Sequence, residues 1–479
     1  MTVSWGDIVR YQQWTGSQGT SDLRTAGLSA LVPLILLVTA FVCGGASASQ
    51  PLRDMIVQLA AIVLLASVAL GWVGRAFSPD ARIPLILIAA LFVLLAFQLV
   101  PLPAAVWTAL GMRAVSADIL RLIGEPVGMY PLSVQPERTL LSALALLPGV
   151  AMAIAALRLE TTARLLLAAG VVVGALLSLA LGIVQASLGG SSETINLYQT
   201  THAGLPIGVF ANTNHQADLL VIAFVFAGLL VRRIASESAS QPLRWCIYGL
   251  MAVLALGIVA TGSRAGIALL GLALLAMVVR EHLSGHARLV LFGAGGLVAL
   301  FGVLIVFNPT IARSFADFSN LDDPRFRFWP NVTYAIGVMG WLGSGAGTFD
   351  GVYRSLETLD TLSSHYLNHA HNDYLEIVLE TGVPGLVLLL ATLGFLGWRG
   401  VAIIRRSERA DTPASPDLAY AGMIGAGVLL LHSAADYPLR TPLLGVIFGL
   451  CCAFMTRPPR CDATYATNRS FNRPTLVRP

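Results

Sequence analysis

The sequence predicts an all-α integral membrane protein of about twelve spanning helices, on three observations. Of its 479 residues, 56% are hydrophobic and 12% charged, about half the charge of an ordinary soluble domain. Apolar runs recur at close to the roughly 20 residues that a helix needs to cross a bilayer. All 30 basic residues are arginines, and they gather between those runs or at their ends.

Residues 1–25 include Asp7, Arg10, Asp22 and Arg24 and lack the apolar stretch of a cleavable leader, so 26–45 reads as an uncleaved first span. Spans two and three, 55–73 and 83–101, turn about Arg75 and Arg82. Spans four and five, 139–157 and 164–186, turn about Arg158. The sixth, 214–231, opens on the polar run FANTNHQADLL and stops at Arg232 and Arg233. Spans seven and eight, 245–261 and 265–280, are separated only by the tight turn TGSRAG. The ninth is 288–307, the tenth 373–398, and 418–435 and 441–455 close the bundle around HSAADYPLR.

Orientation follows from the arginines. With the N-terminus inside, 20 of the 30 lie in inner segments, and seven of the ten outer ones sit in the two longest outer loops. The expected layout is a cytoplasmic tail at 1–25, a membrane domain at 26–456 and a disordered cytoplasmic tail at 457–479. The outer loops at 102–138 and 308–370 exceed mere connectors. The first alternates Leu110, Ile119 and Leu120 with Arg and Asp, as an interfacial helix does. The second is expected to be partly helical.

Nucleic-acid binding has no support, because a net charge of +4 is spread over the loops. Cys43, Cys246, Cys451, Cys452 and Cys461 follow neither zinc nor disulfide spacing. The polar residues, by contrast, segregate. Six of eight histidines (His202, His215, His365, His369, His371 and His432) fall on the outer side or at outer helix ends. Arg264 stands in the 261–266 turn, and Asn212, Asn214 and His215 open the sixth span. Asp436 and Arg440 lie at a third outer turn, and the long loop adds Arg325, Arg327 and the run HAHNDYLEIVLETG at 369–382.

Each feature alone has a plain reading. A histidine at a helix end is usually a cap, and Arg264 could snorkel to headgroups. The GSGAGTF stretch at 343–349 has no surrounding strand–helix unit, so it reads as a tight turn and not a nucleotide loop. His369 and His371 lack a third ligand at metal spacing, so no metal is expected. Together the features suit one chemistry. Arginine forks bind phosphate oxygens bidentately, and a histidine with a pKa of about 6.5 accepts a proton near neutrality. A lipid diphosphate carries its own energy, so no cofactor is needed.

These residues resemble the bacterial O-antigen ligase family, which also takes in O-antigen and exopolysaccharide polymerases and protein O-oligosaccharyltransferases. The marks, over 97–454, are FQLVPLP (97–103), PLSVQPERTL (131–140), FANTNHQADLL (210–220), TGSRAG (261–266) and RFRFW (325–329). GSGAGTF, HAHNDYLEIVLETGVPG (369–385) and HSAADYPLR (432–440) follow in the same order. The resemblance implies a GT-C-like polytopic glycosyltransferase in the bacterial inner membrane. It implies a glycan transferred from undecaprenyl diphosphate with inversion, without metal, on the periplasmic face. His371 matches the family's base, and Arg264 and Arg325 match its diphosphate-binding arginines. Arg327 has no counterpart; with His369, Asn214, His215, Asp436 and Arg440 it forms a second tier.

Three acceptors compete: lipid A core, another lipid-linked glycan, and protein hydroxyls. A ligase or polymerase is expected over a protein O-oligosaccharyltransferase, because no appended outer domain accompanies the bundle. A transporter or flippase of lipid-linked glycans is the alternative of another class. It is disfavoured because the spans carry few central ionisable residues, with Glu376 and Glu380 only one and two turns in from outside.

Overall fold

Length and apolarity decide the architecture, which among the described residues is helical apart from one pair of two-residue strands. The computed structural model describes residues 27–188, 195–198, 202, 204–236, 241–284, 324–359, 361–362, 367–407 and 415–459. The chain runs through α1 (Gly27–Cys43), α2 (Pro51–Ala69) and α3 (Arg82–Gln98) to β1 (Pro101–Leu102), α4 (Ala104–Thr108), α5 (Arg113–Leu122) and β2 (Tyr130–Pro131). Next come α6 (Pro136–Arg158), α7 (Thr161–Ser187), α8 (Thr213–Ser236), α9 (Gln241–Ala260) and α10 (Arg264–Ser284). The last are α11 (Pro324–Met339), α12 (Phe349–Leu356), α13 (Asp373–Ser407), α14 (Ser415–His432) and α15 (Pro442–Phe454).

Among the described residues, seven helices (α2, α3, α6, α7, α8, α9 and α13) are long and apolar enough to cross a membrane, and α1, α14 and α15 are shorter apolar helices. With α10, these helices fall on every predicted span except 288–307, which lies outside the described residues, as do the N-terminal tail and most of the C-terminal one. By length and composition, the described helices are therefore those of a polytopic membrane protein. Helix starts have local causes. Proline stands in the first turn of α2, α6 and α15, where a missing N–H costs nothing. Asp54 Oδ2 accepts the Gln50 N–H at 2.9 Å, which starts α2 four residues ahead of the predicted span.

The central helix is α8: 89% of its spanning window is buried, against 11–44% for the other long helices. It packs on α7, α9, α10 and α14. Beside it, α6 and α15 approach at glycines. A Cβ on Gly149 would meet the Gly445 carbonyl at 2.8 Å, and one on Gly449 would overlap the Gly149 carbonyl. Small residues permit this contact where no solvent drives helices together.

In the 102–138 loop, β1 pairs antiparallel with β2, joining the FQLVPLP and PLSVQPERTL motifs. The expected helix is present as α5, with Ile119 and Leu122 exposed. Its buried residues are Ala117 and Arg113, and Arg113 donates to the carbonyls of Leu132 and Gly343 at 2.7 and 2.8 Å. Burial pushes the Arg113 guanidinium down to about 10.

Where α15 ends, arginines cap helix C-termini. Buried Arg164 donates to the carbonyls of Ala453 and Thr456, and Arg399 to that of Met455. Carbonyls at these ends lack intrahelical partners. The ionisable cluster described next lies at the other end of α15.

Candidate active site

The site is built around a break in α13. Gly382 has φ 60° and ψ −150° inside that helix, a conformation open essentially to glycine alone. The break frees the carbonyls of the preceding turn. Leu379 O accepts the Ser344 N–H at 3.0 Å, and Glu380 O accepts Gly345 N–H at 2.8 Å and Gln98 Nε2 at 2.9 Å. Val383 N–H goes to the Trp341 carbonyl. The 343–349 stretch is thus a turn tied to α13 by its Ser344 and Gly345 amides and to α3 by that of Ala346, which donates to Gln98 Oε1, in keeping with the turn read from its sequence.

Above the break, the start of α13 is fixed by Asn372. Its Oδ1 accepts the N–H groups of Tyr374 and Leu375, a helix N-cap, while its Nδ2 donates to the Ala434 carbonyl at 3.0 Å. Asp373 continues the tie: its N–H meets Ser433 O, and its Oδ2 accepts the Ser433 hydroxyl at 2.8 Å. His371 must enter this cap with φ 48°, the one positive φ outside glycine among the described residues. Such strain, held by surrounding bonds, is concentrated at functional sites.

Two further helix starts meet the same turn. At α10, Ser263 Oγ accepts the Gly266 N–H and donates to Asn214 Oδ1 at 2.7 Å. At α8, Asn214 Nδ2 donates to Asp436 Oδ2 at 2.7 Å. Asp436, fully buried, is the hub. Its Oδ1 lies 3.4 Å from His371 Nδ1 and 3.9 Å from His215 Nε2, and its Oδ2 lies 3.9 Å from His432 Nε2. Tyr437 packs its ring on His369, His371 and His215, with centroids 4.5, 4.8 and 5.3 Å away.

The electrostatics follow from this packing. Burial drives the Asp436 carboxyl up, but His371, His215 and His432 overturn that and hold it well below the usual carboxylate range. Burial and the Asp436 charge together push the Tyr437 phenol up. Arg440, against the cost of burial, is raised by Glu376, Glu380 and Asp373. It contacts them at 3.4, 3.3 and 3.3 Å. Glu376 also holds His369 Nδ1 at 2.8 Å and the Ala370 N–H at 2.9 Å.

The structure therefore brings together His371, Asp436, Asn214, His215 and His369. Arg440 stands beside them, engaged by three carboxylates. Arg264 is the exposed first residue of α10, one residue from Ser263. Arg327 is exposed on α11. Arg325 stands on the same helix, and its side chain lies outside the described residues. Trp329 docks α11 on the His371 loop through a hydrogen bond to the Ala370 carbonyl at 3.1 Å.

Sequence reasoning missed Asp218, Asp373, Tyr437 and the partnership of His432. Helical spacing held part of the signal. Asn214 and Asp218 stand at i,i+4, as do His432 and Asp436, and Asp373, Glu376 and Glu380 stand at i, i+3 and i+7.

The stretch from α9 through Arg264 and α11 to the kinked start of α13 can be compared with known families. Residues 249–390 match the O-antigen ligase family model. That segment contains Arg264, Arg325, His371 and the Gly382 break, so the family likeness drawn from the motifs stands. Curated relatives include the "probable peptidoglycan glycosyltransferase FtsW" of Alkalilimnicola ehrlichii. It is 29% identical over 234 residues, which are 47% of this chain and 54% of that protein. The protein of the same description from Halomonas elongata is 32% identical over 139 residues, 27% of this chain and 32% of its own. The chain spans about half, or less, of the length of the curated relatives it matches. An O-antigen ligase-like segment in an all-helical membrane bundle points to glycosyltransferase-like work.

Proposed function

We propose that this protein is a GT-C-like, roughly twelve-span glycosyltransferase of the O-antigen ligase or polymerase type. It moves a glycan from undecaprenyl diphosphate to an acceptor hydroxyl on the periplasmic face of the bacterial inner membrane, with both termini cytoplasmic. One observation carries the reading: His371, strained and half-buried, turns Nδ1 to a buried carboxylate. With the proton held at Nδ1 by Asp436, Nε2 keeps the lone pair and serves as the base.

The reaction is a single displacement. His371 Nε2 takes the acceptor's hydroxyl proton as its oxygen attacks the anomeric carbon from the face opposite the diphosphate. The new C–O bond forms while the bond to the diphosphate oxygen breaks, so the sugar inverts and undecaprenyl diphosphate leaves. Arg264 and Arg325 hold the diphosphate and take up the developing negative charge, with Arg327 as a further cation on the Arg325 helix. Asn214 links the arginine turn to Asp436 and sets their spacing.

The description of the curated relatives as glycosyltransferases agrees with this reaction class. A protein acceptor is the second reading within it. Gene deletion followed by gel analysis of surface glycans tests the proposal. Free lipid A core with accumulated lipid-linked polymer marks a ligase, and single-repeat glycan marks a polymerase. Missing protein glycoforms mark the protein acceptor. Unchanged glycans overturn all three, and lipid-linked glycan trapped on the cytoplasmic face would mark a flippase instead.

A further inference from the structure

His432 ends α14 one helical turn before Asp436, so the two side chains share a face. His432 Nδ1 lies 2.7 Å from both carboxylate oxygens of Asp218, while Nε2 faces Asp436 Oδ2 at 3.9 Å. All three side chains are shut off from water. One imidazole thus stands between two buried carboxylates, one at each nitrogen. A neutral ring bound to Asp218 through Nδ1–H would turn its Nε2 lone pair toward the Asp436 carboxylate; a doubly protonated ring keeps the bond to Asp218 and places a positive charge between the two carboxylates. Buried charge is tolerated only when paired, which favours the doubly protonated ring.

Among the described residues, the other neighbours of this core come from α8, from α13 with the loop before it, and from the start of α10. From α8, Asn214 donates to Asp436 Oδ2 and His215 faces Oδ1. From the loop before α13, His371 faces Oδ1, and His369 is bound to Glu376. Asp373, Glu376 and Glu380 of α13 hold Arg440. Arg264 begins α10 beside Ser263. With no cation behind it, the Asp436 charge would fall on His371 and hold that ring as an imidazolium, unable to take a proton.

We propose that Asp218 and His432 are positioning residues: Asp218 keeps His432 doubly protonated, the His432 cation balances Asp436, and His371 is thereby left neutral. This rests on the reading of His371 as the base of glycan transfer. His432 gains and loses no proton in turnover; it sets the pH at which His371 can act.

The test uses the full chain in lipid nanodiscs, with undecaprenyl-diphosphate-linked glycan as donor. Transfer rate is measured against pH for the wild type, His432→Gln and Asp218→Asn. The acidic limb of the profile is expected to move up by about one pH unit in both variants, with the rate at high pH retained. A loss equal at all pH values, with the limb unmoved, overturns the proposal. A second readout needs no substrate, and so separates failure here from failure of the functional reading. Nitrogen NMR of histidine-labelled protein should show one ring doubly protonated to pH 8, lost in His432→Gln. The His371 signal, identified by its loss in His371→Ala, should titrate at higher pH in Asp218→Asn. Absence of that persistent imidazolium overturns the proposal whatever reaction the protein performs.

Discussion

His371 Nδ1 lies 3.4 Å from Asp436 Oδ1, across two turns joined by Asn372, which donates to the Ala434 carbonyl, and by Asp373, which is bound to Ser433. One residue belongs to a long loop and the other to a short turn between α14 and α15. Their meeting turns an imidazole on a strained backbone toward a buried carboxylate.

Asp436→Asn keeps the shape and removes the charge. Transfer should fall by about two orders of magnitude or more, since a general base loses its orienting partner. A linked effect on stability has a definite sign. The folded carboxyl is depressed, so the stability it contributes is present above the unfolded value of about 3.8 and is lost as pH falls through the folded value. Thermal unfolding should show Asp436→Asn less stable than wild type at pH 7. An equal midpoint there would remove the electrostatic argument.

Arg264→Lys keeps a positive charge but loses the planar fork. Transfer should drop at least about tenfold, chiefly in kcat/KM for the lipid-diphosphate donor. Near-normal kinetics would reduce Arg264 to a headgroup anchor.

Gly382→Ala places a Cβ against the Trp341 carbonyl at a φ of 60°. Strain of about 1–3 kcal/mol, with that overlap added, should lower the melting temperature and the amount of folded protein. An unchanged melting temperature would mean that the break in α13 is not needed to seat the 343–349 turn.

Reporter fusions within 308–370 should read as periplasmic, and fusions after 457 as cytoplasmic. The reverse pattern would remove the site from the face where lipid-linked glycan is proposed to react.

Much of the bundle was legible because apolar length is a one-dimensional signal. The Gly382 break was not, although its ETGVPG context carries glycine and proline, because an apolar run extends through it. The β1–β2 pair, two residues a side, is too short to leave a periodic trace. In the site, the histidines and Asp436 were legible from clustering at outer helix ends. Arg440 was read only as a second-tier site residue. The three carboxylates that engage it come from one face of α13, and that pairing exists only once α13 and the 438–440 turn pack. Asp218 and the partnership of His432 were hidden for the same reason: both residues lie in polar runs legible in the sequence, but their pairing exists only once α8 and α14 are side by side.

The central claim is that His371 is the base, and His371→Ala tests it most directly. Transfer of glycan from undecaprenyl diphosphate should be measured with purified variant at wild-type protein level and melting temperature. A loss of about two to four orders of magnitude is expected. Transfer at close to the wild-type rate would contradict it.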